Sequence, residues 1–140
     1  MLEKTLAGRF KRPFSAKAGI TLVAAAMIGI MVVVGAVLFD VMVVYRAKEE
    51  AQTAADAAAK AAGLELTPLF GVGDDPAGAA YRFAEANGAE VLSVETGGEG
   101  SRLWVSVKVR RACNPLFINL GRGAVWITAT ARVYMDPIIQ

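Results

Sequence analysis

A chain of 140 residues, 55% of them hydrophobic, with a net charge of only +2, has room for one small domain beyond any membrane helix. So slight a charge argues against a nucleic-acid partner. With no histidine and a single cysteine, Cys113, the inventory excludes histidine- and cysteine-rich metal centres, Ser-His-Asp or Cys-His catalysis, and an intrachain disulfide.

The charge is unevenly distributed. Residues 1–17 carry Lys4, Arg9, Lys11, Arg12 and Lys17 against Glu3 alone. A basic block ahead of an apolar run is a topology signal, and it predicts a cytoplasmic segment or leader. From Ala18 to Phe39 no residue is charged and Thr21 is the one hydroxyl. At 1.5 Å per residue such a run spans about 33 Å, enough for a bilayer core. A cleaved secretory signal has a shorter apolar region, about 7–15 residues. Here the apolar character resumes after Asp40 as far as Tyr45, so a retained single-pass anchor is expected. The cations keep its start in the cytoplasm, which sends the C-terminus across a cytoplasmic (inner) membrane.

Residues 46–62 consist almost wholly of strong helix formers, with Gly63 as a C-cap. One helix over residues 18–62 is therefore predicted, half in lipid and half exposed to solvent. Steps of 3.6 residues along it give a stripe that includes Ala25, Gly29, Ala36, Asp40, Ala47, Ala54 and Ala58. Small residues let helices approach closely in lipid, where no hydrophobic drive brings them together. The bland alternative is that alanine-rich helices show such stripes by chance; Gly29 and Gly35, poor helix formers, favour a packing face. Asp40 has two readings. It pairs with a base on a neighbouring helix, or it marks the outer edge of the bilayer and is hydrated; the second is preferred, because about 20 residues already cross the core before it.

Residues 64–140 are expected to form a small extracytoplasmic α+β domain. A breaker-rich loop ends at Asp75-Pro76, an N-cap and a proline at N1. A short helix over Ala77–Asn87 then follows, with Ala80, Phe83 and Ala84 inward. The period changes to two in a strand over Glu90–Glu95, with a turn at Thr96–Ser101. Leu103, Val105, Val107 and Val109 alternate with polar residues, and a last strand runs over Ala124–Met135. One helical turn at Pro115–Leu120 belongs to the connection between them. A short helix and a three-stranded antiparallel sheet satisfy this pattern.

No catalytic, cofactor or metal site emerges. Gly97-Gly98-Glu99-Gly100 joins two strands and precedes no helix, so it reads as a hairpin turn and not a phosphate loop. Lys108-Val-Arg-Arg111 reads as a solvated strand face, Asp74-Asp75 lacks the spaced acids of a calcium loop, and Cys113 as a small buried residue. An enzyme is not expected, nor is a small-molecule substrate.

Gly19-Ile-Thr-Leu-Val-Ala-Ala-Ala26, the apolar helix ending in Asp40, and Gln52-Thr-Ala-Ala-Asp-Ala-Ala-Ala-Lys-Ala-Ala62 resemble the TadE/TadG-type pseudopilins of the tight-adherence (Flp) pilus system. Pro115-Leu-Phe-Ile-Asn-Leu-Gly121 and Val125–Ala131 are loosely similar to the endings of such proteins. The resemblance implies a minor pseudopilin or assembly subunit, whose partners are the lipid bilayer and other pilin-like membrane proteins. It also implies possible leader cleavage between Gly19 and Ile20. In cleaved pilins the fifth residue after the cut is a glutamate that pairs with a freed amine; here that position is Ala24. Either the leader is kept or the subunit sits where none lies above it. The alternative function is a membrane-tethered binding or adaptor domain of another cell-envelope complex, with the helix only a tether.

Overall fold

The computed structural model describes residues 16–66, 75–117, 119 and 123–136. The basic segment over residues 1–15 and most of the loop before Asp75 lie outside them, as does part of the expected turn at 115–120. Helix α1 runs over Ala16–Glu65, α2 over Pro76–Ala86, and strands β1, β2 and β3 over Glu90–Glu99, Arg102–Cys113 and Val125–Met135. The chain divides into two units, Met1–Leu38 and Phe39–Gln140.

In the first unit, the residues of α1 from Ala18 to Leu38 are exposed, apart from half-buried Gly19 and Ala36. The side chains are valine, isoleucine, leucine, methionine and alanine, and the helix satisfies its backbone groups internally, as lipid requires. The Thr21 hydroxyl donates to the Ala18 carbonyl at 3.0 Å, so the lone hydroxyl of the run is satisfied without a second helix.

In the second unit the sheet has the order β1-β2-β3 and is antiparallel throughout. Val105, Val107 and Val109 face the core and are fully buried. Their β3 partners Val133, Ala131 and Ala129 lie on the same face. On β1 the register slips between Val91 and Ser93. That extra residue, Leu92, lets Val91 and Val94 share the inner face although they stand three apart, which the period of two alone forbids. The strand expected to end at Glu95 continues to Glu99, and the turn shrinks to Gly100-Ser101, with Gly100 at φ +63°. Gly97 can stay in the strand because it lies under Trp104. A Cβ there would fall 2.5 Å from the indole Cζ2.

The helix is where expectation and structure differ most. Residues past Arg46, read as exposed to solvent, turn one face inward. Ala51, Ala54, Ala55, Ala58, Ala59 and Ala62 form a core with Ala80 and Ala84 of α2 and the β2 valines. The i, i+3, i+4, i+7 spacing of these alanines makes a stripe, and their small size lets a helix lie close on a valine-rich sheet. Gly63 is not the cap; it is buried inside α1, where a Cβ would run into the Met135 side chain. Phe83 does not point inward either. It is half exposed, and the buried side of α2 is Ala79, Ala80 and Ala84. The Asp75 cap holds as read: its Oδ1 accepts the Gly78 amide at 2.7 Å, with proline at N1.

Candidate functional site

The second unit opens with Phe39 and Asp40, where the uncharged run of α1 ends. Asp40 is fully buried. Its two carboxylate oxygens accept the backbone amides of Leu116, at 2.9 Å, and Phe117, at 2.5 Å. Such charge-assisted bonds are short and about twice as strong as neutral ones. Three residues on, the Val43 carbonyl accepts a weak bond from Cys113 Sγ at 3.8 Å. The end of β2 and the segment after it are thus held to one turn of α1. Pro115, which has no N–H of its own, is buried between the two attachments. Cys113 is buried, and its thiol pKa is raised, first by burial and then by the charge of Asp40.

This arrangement departs from the reading of Asp40 as a hydrated marker of the bilayer edge. Asp40 is buried rather than hydrated, and it binds amides of its own domain. Backbone donors carry no sequence signature, so the Leu116 and Phe117 contacts could not be read ahead. The one available signal is that a lone acid beside an apolar run needs donors from somewhere.

A second attachment went unread. Arg111 Nη1 donates to the carbonyls of Asn87, at 2.7 Å, and Gly88, at 3.2 Å, while Nη2 lies 2.8 Å from the Glu50 carboxylate. One guanidinium therefore joins β2, the C-terminal end of α2 and α1. It sits on the inner parity of β2, not on the solvated face assigned to residues 108–111. On the outer face the expectation fits Lys108 and Arg110. Arg110 lies over the Trp126 ring at 4.6 Å and forks onto Glu90 at 2.8 and 2.9 Å. Arg132 covers Trp104 at 4.4 Å. The hydrogen bond from Arg110 lowers the Glu90 pKa, with partial opposition from desolvation.

The small-residue stripe divides in two. Ala47, Ala54 and Ala58 are buried inside the domain. The packing partner of Ala54 and Ala58 is this chain's own sheet and α2. Ala25 and Gly29 are exposed and Ala36 is half-buried; a Cβ on Gly29 would meet nothing within 4 Å. Gly19 and Ile20 stand in the early turns of α1, with Ile20 exposed. Among the described residues no group of three or more His, Cys, Asp or Glu side chains is placed to hold a metal ion.

An apolar helix long enough to cross a bilayer, joined to a three-stranded α+β domain, defines the class: an α+β protein with one candidate membrane span. Over part of its length the chain is similar to a known family. The family model of putative Flp pilus-assembly TadE/G-like proteins matches residues 18–74, which takes in α1 from Ala18 onward and stops before α2. The family is one of pilus assembly and not of enzymes, and with the apolar helix it points to a membrane-anchored protein with a role in pilus assembly. No curated protein and no solved structure matches the chain.

Proposed function

We propose that this chain is a minor pseudopilin or assembly subunit of a tight-adherence pilus or related secretion apparatus. It sits in the cytoplasmic membrane with its basic start inside and its α+β domain outside, and acts through helix packing in lipid and contacts of the outer domain. The observation that carries this reading is the family match over the same helix whose first half leaves its small residues uncovered. A helix used only as a tether has no need of glycine at 29 and 35, where each costs roughly 0.8–1 kcal/mol of helix propensity relative to alanine. Close approach of a second helix gives those positions a function. The partner stripe is Ala25, Gly29 and Ala36, since Ala54 and Ala58 are already occupied within the chain.

The reading needs no bound cofactor and no reaction. Its test is co-purification in mild detergent, with mass spectrometry of the associated proteins. Prepilin-like chains and components of a secretion platform are expected with the native sequence and are lost when Ala25, Gly29 and Ala36 are changed to leucine. Unchanged recovery of the same partners from the leucine variant would reduce the helix to a tether and favour the adaptor reading. The mass of the mature chain decides the Gly19–Ile20 cleavage independently.

A further inference from the structure

Around Asp40 the second unit carries a group of exposed apolar side chains that its own core does not use. On α1 these are Phe39, Val41 and Met42; on the segment after β2 they are Leu116, at 68% exposure, and Phe117, at 49%. The two sets are held together by the amides that Leu116 and Phe117 give to Asp40. Those bonds set the two side chains at the level of residue 40, one residue past the uncharged run that ends at Phe39.

Irregular backbone is normally kept out of lipid by its unsatisfied N–H groups. Residues 115–117 lack that obstacle. Pro115 has no amide hydrogen, and the next two amides are spent on a carboxylate that is itself fully buried. Three consecutive residues thus lack a free donor, and the last two of them offer exposed apolar side chains. On α1 the first basic group beyond this level is Arg46, whose side chain is mostly exposed and long enough to reach headgroups.

We propose that Leu116 and Phe117 form a membrane-interface wedge: these two side chains dip into the outer headgroup–acyl boundary and give the domain a second hold on the bilayer. The inference rests on α1 being a membrane span. The occupant of the patch is lipid, because Phe39, Val41 and Met42 follow the uncharged run directly in the sequence and Leu116 and Phe117 are held at their level by Asp40.

The experiment uses the full chain reconstituted in phosphatidylcholine–phosphatidylglycerol vesicles. Single spin labels are attached through cysteines introduced at Leu116, Phe117, Val32 and Thr128. Native Cys113, 4% exposed, is left in place in one series and changed to alanine in a second. Accessibility to oxygen and to a water-soluble nickel relaxant is read by power saturation. Labels at 116 and 117 are expected in the interface, about 5–10 Å below the headgroup boundary, accessible to oxygen and shielded from nickel, while Thr128 is open to nickel. Nickel access at 116 and 117 equal to that at Thr128 overturns the wedge, and does so alone if Val32 remains in lipid. Shielding from both relaxants at 116 and 117 also overturns it, because the cover is then protein. Nickel access at Val32 overturns the membrane span and the wedge together.

Discussion

The carboxylate of Asp40 accepts the amide of Phe117 across 77 residues of sequence, and with the Leu116 bond it closes the domain onto α1 at the end of the apolar run. A buried charge is tolerated only with such partners, so the pair is structural before it is anything else.

Asp40→Ala leaves two part-buried amides without their acceptor. The expected loss is about 1–3 kcal/mol in all, below the sum for two fully buried groups because both amides lie at partly exposed positions. Asp40→Asn keeps one acceptor oxygen and should fall between the two. Urea unfolding of the full chain in detergent micelles, followed by near-ultraviolet circular dichroism of Trp104 and Trp126, reads the series. Equal midpoints for all three proteins would show that the bonds contribute nothing.

The two halves of the small-residue stripe should respond oppositely to enlargement. Ala58→Leu forces a large side chain into a filled core and should cost about 1–3 kcal/mol of domain stability. Ala25→Leu faces outward and should leave the unfolding midpoint unchanged while weakening association with other helices. Pairing the unfolding curve with the co-purification assay separates the effects.

Arg111→Met keeps the stem but removes the fork onto Glu50 and the α2 carbonyls. It should destabilise the domain more than Arg110→Met, whose partners are on the exposed sheet face. Because Glu50 is 38% exposed, its share of the loss is discounted for solvent screening. A double-mutant cycle of Arg111 with Glu50 is expected to give about 0.5–1 kcal/mol of coupling.

Glu90 supplies a pH test with a defined sign. Its folded-state pKa lies below the ordinary 4.5 because of the Arg110 hydrogen bond. The contribution is therefore fully present above 4.5 and is lost as pH falls through the lowered value. The stability difference between the native chain and Glu90→Gln should be constant near neutrality and vanish in acid. A difference that persists at the acid end removes the ion pair as its cause.

Cys113 should be a poor nucleophile in the folded chain. Burial raises its pKa, so at pH 8 less of it is thiolate than in the unfolded chain, and access is restricted as well. Reaction with a disulfide reagent should be slower before unfolding than after, since both the smaller thiolate fraction and the restricted access act in the same direction. Equal rates would mean that the end of β2 opens readily from α1.

Much of this protein is decided by the sequence alone, because the relevant physics is local or periodic. The uncharged run Ala18–Phe39 dictates a helix that suits lipid, since charge and length are properties of single residues in a row. Asp75-Pro76 starts α2, and the alternation from Leu103 to Val109 and from Val125 to Val133 dictates two strands with a common buried face. The resemblance to pilus-assembly proteins is also carried by contiguous residues. Tertiary structure alone decided what those elements touch. Periodicity marked Ala54 and Ala58 as a face but could not say that a valine sheet would cover it, because small residues suit a sheet and a helix equally. It could not assign Asp40, whose acceptors meet backbone amides common to every sequence. Nor could it turn Phe83 outward, bury Gly63 under Met135, or send Arg111 inward to Glu50 and Asn87. Each depends on the distance between elements far apart in the chain, and that distance is fixed only when the core closes.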